Sequence, residues 1–237
     1  MTQFLTRATL SRHPSIAAMA RQLLPEENGE RAYAAHRLVW SLFAGDETRK
    51  RDFLFREVDP AMSTNRGRAA FMVLSAQRPS PDHPFFEVET KPFEPTLQKG
   101  QRLRFSLRAN PVRQAPHQAK HKRRDVVMHA LHGVPVGERA AARPLAIQEA
   151  GFSWLEGQGE RNGFRLPTPE DEDEPTLRID GYEQWRIPRL GRQGVVSVLE
   201  FDGELEVTDP EAFLSRLAVG FGRARSFGCG LMLIRRA

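Results

Sequence analysis

Residues 102–108 alternate strictly between polar and apolar side chains, and this pattern constrains the fold more than any other feature of the chain. Leu103, Phe105 and Leu107 supply the apolar positions. The polar positions that follow Gln101 hold Arg102, Arg104, Ser106 and Arg108. Because successive side chains of a β-strand point to opposite faces of a sheet, the alternation predicts a strand with one core face and one basic face.

Positive charge is concentrated around this strand. The chain has a formal net charge of +5, and residues 99–143 alone hold 11 lysines and arginines against two acids. Basic side chains gain free energy by releasing counterions from phosphates, so this concentration favours a polyanionic partner. Within it, the sequence KHKRRD predicts either a loop that clamps an RNA backbone or a merely solvated basic loop. The candidate RNA-binding residues of this loop are Lys120, Lys122, Arg123 and Arg124.

Hydrophobic periodicity predicts short strands and helices along the rest of the chain. The second half gives the order β-α-β-β-α-β, and Asp209 and Gly220 are the predicted cap and end of its last helix. The first half resembles it but lacks an obvious second helix. The predicted strands of the first half lie at 4–10, 53–58, 69–77 and 85–93, and its predicted helices at 15–24 and 31–43.

This order of elements predicts an α+β fold with two tandem ferredoxin-like domains. Proline and glycine punctuate residues 91–100, which form the predicted linker. We therefore expect one domain at residues 1–93 and a second at residues 101–237.

Cys229 is the only cysteine, which excludes an intramolecular disulfide and any CxxC metal site. No apolar run approaches the ~18 residues that a membrane helix requires, so we expect a cytoplasmic protein. A zinc site built from histidines lacks a cysteine or carboxylate to complete it, and we predict neither a metal ion nor a cofactor. The histidines considered for that site are His117, His121, His129 and His132.

The predicted helix YAAHRLVWSLF places Tyr33, His36 and Arg37 along one border of its apolar stripe. Side chains three residues apart on a helix have Cβ atoms at ~5–6 Å, so Tyr33 and His36 are neighbours. Periodicity alone also permits these residues to be ordinary boundary residues of an amphipathic helix.

RNA carries its own nucleophile, the 2′-hydroxyl, so its cleavage needs only proton transfer and positive charge at the phosphate. A histidine with an ordinary pKa of ~6.5 suits the proton transfer, and an arginine stabilises the phosphorane charge. Tyrosine can orient or activate the hydroxyl. The candidate catalytic set is His36, Tyr33 and Arg37.

The C-terminal sequence GFGRARSFGCG holds two Gly-x-Gly pairs around a basic segment. Its glycines would let backbone N–H groups approach phosphates closely. A helix C-cap followed by a bulged strand is the structural alternative. The candidate RNA-binding residues here are Gly220, Gly222, Arg223, Arg225, Ser226, Gly228 and Gly230.

Four blocks of sequence together resemble the CasE family of CRISPR RNA-processing endoribonucleases, which supply the RNA-cutting subunit of the Cascade surveillance complex. The blocks span nearly the whole chain and begin at Tyr33 (YAAHRLVWSLF), Arg51 (RDFLFREV), Arg104 (RFSLRANPV) and Gly220 (GFGRARSFGCGL). Their order and approximate spacing are those of the family.

The resemblance implies two ferredoxin-like domains, binding of the repeat stem-loop RNA and cleavage at its base to leave a 5′-hydroxyl on the downstream product. It places the catalytic histidine at His36, the helper tyrosine at Tyr33, and a basic residue of the glycine-rich loop at Arg225. Some relatives carry a lysine shortly after the histidine, where this chain has Ser41 and Ala44, and Arg37 is the predicted substitute. The expected partners are the repeat RNA and the other Cascade subunits.

A non-catalytic RNA-binding scaffold is the alternative function, because ferredoxin-like sheets also form RNA-recognition motifs. The segment GRAAFMV from Gly67 has a faint likeness to the aromatic signature of those motifs, but it lacks their paired exposed aromatic residues.

Overall fold

The computed structural model describes residues 2–43, 51–58, 67–114, 123–167, 177–187 and 194–237. The chain forms two compact units, each built from three separate stretches of sequence. The first unit comprises Met1–Thr96, Trp185–Val195 and Ala224–Leu231, and the second comprises Leu97–Gln184, Val196–Arg223 and Met232–Ala237. The domain boundaries at 1–93 and 101–237 follow chain order and stay a prediction.

The first unit contains a four-stranded antiparallel sheet with two helices before its second strand. The strands are β1 (Gln3–Leu10), β2 (Phe53–Glu57), β3 (Ala70–Ser75) and β4 (Phe86–Phe93), and the helices are α1 (Pro14–Leu23) and α2 (Asn28–Trp40). The strand order β2-β3-β1-β4 is that of a ferredoxin-like sheet. Residues 76–85, between β3 and β4, contain no helix, which agrees with the sequence prediction for the first half.

Helix α2 begins three residues earlier than its periodicity predicts, because Glu27 caps it. The Glu27 carboxylate accepts hydrogen bonds from the backbone N–H groups of Gly29 at 3.0 Å and Glu30 at 2.7 Å. Gly29 also lets the helix approach its neighbour closely, since a Cβ atom there would overlap the carbonyl oxygen of Arg186. The turn predicted over the sequence PEENGE is therefore shorter than expected.

The core of the first unit lies between α2 and the sheet. Ala35, Val39 and Leu42, which define the predicted apolar stripe, are all buried. They belong to one cluster with the aromatic side chains of β2 and β3, among them Phe55 and Phe71. Each such side chain contributes about 1.5–3 kcal/mol by leaving water, so packing fixes which side of α2 faces the sheet.

The second unit is organised around a sheet with strand order β11-β5-β10-β8, and β9 also pairs with β10. The described residues of this unit also form three α-helices and a small hairpin, β6–β7. The strands are β5 (Arg102–Ala109), β6 (Val112–Gln114), β7 (Arg123–Asp125), β8 (Phe164–Arg165), β9 (Arg178–Arg186), β10 (Val195–Val207) and β11 (Met232–Arg236). The helices are α3 (Val126–Ala130), α4 (Arg139–Asn162) and α5 (Pro210–Val219).

Two sequence predictions for this unit are confirmed. Leu103, Phe105 and Leu107 are buried, as the alternation in β5 requires. Asp209 caps α5 by accepting a hydrogen bond from the backbone N–H of Ala212 at 3.1 Å, and the helix ends before Gly220. The chain thus has an α+β fold with tandem ferredoxin-like domains.

None of the helices in the described part of the chain combines the length and the apolar character needed to span a membrane.

Candidate active site

The imidazole of His36 lies in α2 among three aromatic rings of the first unit. Its centroid is 6.0 Å from that of Trp40, 6.2 Å from that of Phe53 and 6.2 Å from that of Phe55. The side chain is half-buried, as its predicted position at the border of the apolar stripe implies. Its Nε2 atom is covered and forms no hydrogen bond within the described residues. A buried polar atom that is left unpaired costs about 1–3 kcal/mol.

The environment of His36 favours its neutral form. Burial, followed by the positive charge of Arg51, lowers the pKa of His36 from its ordinary value of 6.5. The ring is therefore mostly unprotonated at neutral pH. A neutral imidazole can accept a proton, which is the property that a general base needs.

Arg51 is the cation that accompanies His36, and it was not among the residues selected from the sequence. Its Nη1 atom donates a hydrogen bond to the Ser226 hydroxyl at 2.9 Å. Burial and then the charge of Arg225 lower the pKa of Arg51. The available signal was its position at the start of the block RDFLFREV, two residues before β2.

Tyr33 and Arg37 lie on the same helix as His36. Tyr33 is half-buried one turn before the histidine, whereas Arg37 is exposed. The charge that acts on His36 comes from Arg51. The roles assigned to Tyr33 and Arg37 remain predictions.

Part of the glycine-rich segment belongs to the same unit as His36. Arg225 and Ser226 lie in a 3-10 turn, Arg225–Phe227, that ends at Gly228. A Cβ atom on Gly228 would lie 3.6 Å from Cε2 of Phe55, so this turn lies close to the same ring on which His36 stacks. Gly230 follows in this unit, with a positive φ.

The other part of the glycine-rich segment belongs to the second unit. Gly220 terminates α5, which matches the alternative interpretation of a helix C-cap. Gly222 approaches the backbone of Asn110 and the ring of Trp154, and Arg223 is exposed and forms a β-bridge with Asn110.

The polar face of β5 carries arginines as predicted, but each lies opposite a glutamate of β10. The opposed pairs are Arg102 with Glu206, Arg104 with Glu204, and Arg108 with Glu200. Arg104 Nε donates to Glu204 Oε1 at 2.9 Å, and Arg108 forms an ion pair with Glu200. This face is therefore less positive than the sequence of β5 alone suggests.

The hairpin β6–β7 carries part of the predicted basic loop. Arg124 lies directly opposite Arg113, a residue that was not selected from the sequence. Arg123 lies in β7 opposite Gln114. Lys120 and Lys122 lie outside the described residues. Like charges opposed across two strands destabilise each other, so an anion bound at this hairpin would relieve the repulsion.

Within the described ranges, no group of three histidine, cysteine, aspartate or glutamate residues is placed to hold a metal ion. His117 and His121, from the histidine set considered above, lie outside these ranges.

Comparisons with known proteins agree with the resemblance found in the sequence. A model of the family described as CRISPR associated protein matches residues 3–236. The chain is 35% identical over 150 residues to the CRISPR-associated endoribonuclease Cse3 of Thermus thermophilus, and this match covers 61% of the chain and 60% of that protein. It is 29% identical over 202 residues to the CRISPR system Cascade subunit CasE of Escherichia coli K12, with 84% and 89% covered.

A solved structure of Thermus thermophilus Cse3, bound to an RNA representing a pre-cleavage complex, is similar over nearly all of both chains. The TM-score is 0.68 at 27% identity, with 99% of this chain and 100% of that chain covered. The family model, the sequence matches and the fold agree, and the chain therefore belongs to the CasE family of CRISPR-associated proteins.

Proposed function

We propose that this chain is an endoribonuclease that cleaves CRISPR precursor RNA at the base of the repeat stem-loop, without a metal ion. The observation that carries the proposal is a half-buried imidazole, His36, with a lowered pKa beside the guanidinium of Arg51. The names of the related proteins, an endoribonuclease and a Cascade subunit, support the substrate class. In this proposal the product stays with the other Cascade subunits, and the protein works in the cytoplasm.

The reaction is a transesterification within the RNA chain. The ribose 2′-oxygen forms a bond to phosphorus, and the bond from phosphorus to the 5′-oxygen of the next nucleotide breaks. The 2′-hydroxyl loses a proton to a base, and the leaving 5′-oxygen gains one from an acid. The products are a 2′,3′-cyclic phosphate and a 5′-hydroxyl. The protein must supply two proton transfers and positive charge at the phosphate.

His36 is the proposed general base, because its lowered pKa keeps it able to accept the proton of the 2′-hydroxyl. Tyr33, one helical turn away, is the proposed helper that orients the hydroxyl. Since Nε2 of His36 is covered, the proposal requires that the surrounding side chains move apart when RNA binds. The substrate hydroxyl then provides a hydrogen-bond partner that the described residues do not give this atom.

Binding of the stem-loop is assigned to the basic residues of the second unit. The arginines of the β6–β7 hairpin are the strongest candidates, because opposed Arg113 and Arg124 are poised to gain from a bound phosphate. Arg102, Arg104 and Arg108 contribute less in this proposal, since each faces a glutamate of β10.

The proposal is tested by incubating repeat RNA with the protein in EDTA and following the cut strand on a denaturing gel. Wild type should cleave at one position with the metal chelated, and His36→Ala should cleave about 10²–10⁴-fold more slowly with little change in RNA affinity. Arg21→Ala, which removes an exposed charge from the first unit, is the matched control and should match wild type.

Loss of wild-type cleavage in EDTA would reject the metal-free mechanism. Tight binding of the repeat RNA without any cleavage, whether EDTA is present or not, would instead favour the RNA-binding scaffold. Equal cleavage by wild type and His36→Ala would remove His36 from the mechanism.

A further inference from the structure

A hydrogen bond near the proposed active site connects two residues, Arg51 and Ser226, that are 175 positions apart in the chain. The Arg51 guanidinium donates from Nη1 to the Ser226 hydroxyl at 2.9 Å. Arg51 lies two residues before the start of β2, and Ser226 lies in the 3-10 turn that follows Ala224. A guanidinium tethered through one nitrogen keeps its remaining N–H groups for another acceptor.

The turn that holds Ser226 lies near His36, because both the turn and the imidazole are close to the ring of Phe55. The Phe55 ring stacks with the imidazole at 22° between planes, and Gly228, at the end of the turn, lies close to the same ring. Phe55 itself is buried in β2, four residues after Arg51. The imidazole and the turn that holds Ser226 therefore lie next to the same buried ring, within a single compact unit.

Three groups that can carry positive charge converge here. The charge of Arg51 acts on His36, and the charge of Arg225 acts on Arg51. Holding such groups together while partly removing them from water costs free energy, and a bound anion relieves that cost. The guanidinium is planar and presents paired N–H donors, a geometry that matches two oxygens of a phosphate.

We infer that Arg51, positioned by Ser226 and assisted by Arg225, binds the scissile phosphate of the RNA beside His36. This assignment rests on the proposed function. Arg51, which precedes β2, would then be the cation that stabilises the charge on the pentacoordinate phosphorus. Arg37 on helix α2 was the residue that the sequence predicted for this role. Arg51 acts by direct contact with the phosphate oxygens, and Ser226 acts by holding the guanidinium in place.

Cleavage kinetics test the assignment through rate and affinity measured separately. Arg51→Ala should slow single-turnover cleavage by about 10²–10³-fold, the usual effect of removing one donor to a developing oxyanion, and should weaken RNA binding far less. Arg51→Lys keeps the charge but loses the paired donors, so it should recover only part of the rate. Ser226→Ala should give an intermediate rate, and Arg21→Ala should equal wild type.

Phosphate binding provides a readout that does not depend on cleavage. Inorganic phosphate added to the wild-type protein should raise the pKa of His36 in an NMR titration, because an anion next to the ring favours the imidazolium form. The phosphate-induced shift should be smaller in Ser226→Ala and absent in Arg51→Ala. Arg51→Lys supplies the comparison if the alanine variant unfolds.

The two experiments separate the inference from the proposed function. If wild type cleaves and the Arg51 variants cleave equally well, the inference is overturned and the proposed function stands. If wild type does not cleave, the proposed function fails, and the phosphate titration decides whether Arg51 still forms an anion site. A His36 pKa that phosphate leaves unchanged in wild type would overturn the inference as well.

Discussion

The imidazole of His36 lies nearly parallel to the ring of Phe55, with 6.2 Å between their centroids and 22° between their planes. This ring makes the surroundings of the imidazole apolar, and the charge of Arg51 also acts on it. Both effects disfavour the imidazolium form. The site thus keeps His36 neutral, as a general base for the 2′-hydroxyl requires.

The pH dependence of cleavage should reflect this environment. Because the pKa of His36 lies below 6.5, the rate should fall only as pH drops through a value below 6.5. In Arg51→Ala the midpoint should move up towards 6.5 but not reach it, since burial is the larger cause of the shift. The charged groups involved are Arg51 and, through it, Arg225. Single-turnover rates measured across pH with RNA well below saturation, which reflect the pKa of His36 in the free protein, provide the check. An acid limb at or above 6.5 would contradict this account.

Folding stability should depend on pH through the same residue. A histidine whose pKa is lower in the folded state binds its proton more readily in the unfolded chain, so stability decreases as pH falls below 6.5. Replacing His36 by Gln removes this contribution. Urea unfolding of both proteins, from about pH 7.5 to about pH 5.5, should show His36→Gln gaining relative stability as the pH decreases. A pH-independent difference between them would count against the lowered pKa.

Gly228 should be sensitive to substitution for a backbone reason. Its φ of +79° lies in the left-handed region, where an alanine costs about 1–2 kcal/mol, while the added Cβ would make only an ordinary contact with Phe55. Gly228→Ala should therefore lower the free energy of unfolding by about that amount. It should also slow cleavage, because the turn carrying Ser226 must shift.

The control for this variant is Gly137→Ala, at a position where an added Cβ meets nothing within 4 Å. It should leave both stability and cleavage nearly unchanged. Similar losses in both variants would mean that the conformation of Gly228 has no special role.

The salt dependence of RNA binding should separate the two groups of basic residues. Each phosphate contact that is lost lowers the slope of log affinity against log salt by about one. Arg124→Ala should therefore reduce the slope by about one, whereas Arg104→Ala should reduce it less, because Arg104 is paired with Glu204. Filter binding of the repeat hairpin across a salt series tests this difference. A larger reduction of the slope in Arg104→Ala than in Arg124→Ala would show that the polar face of β5, and not the β6–β7 hairpin of the protein, contacts the phosphates.

Local patterns predicted the elements whose structure depends on nearby residues. The alternation in β5 predicted both the strand and its buried face, and Asp209 and Gly220 predicted both ends of α5. His36 lies at the border of the apolar stripe of α2, as its helical position predicts. In each case the periodicity or the capping residue acts within a few positions of chain.

Features that depend on tertiary contacts could not be obtained in this way. The glutamates that oppose Arg104 and Arg108 come from β10, and only the strand register brings them there. The hydrogen bond from Arg51 to Ser226 joins residues 175 positions apart, so no local pattern reveals it. Proximity to His36 along the helix indicated Arg37 as the cation, which stays a prediction, whereas no local pattern singled out Arg51.

The termini of the cleaved RNA test the central claim most directly. Repeat RNA cut by wild-type protein in EDTA should carry a 2′,3′-cyclic phosphate on the upstream fragment and a 5′-hydroxyl on the downstream fragment, as resolved by mass spectrometry. A 2′-deoxy nucleotide at the scissile position should block the reaction. A 3′-hydroxyl with a 5′-phosphate, or undiminished cleavage of the 2′-deoxy substrate, would contradict attack by the 2′-hydroxyl and the role proposed for His36.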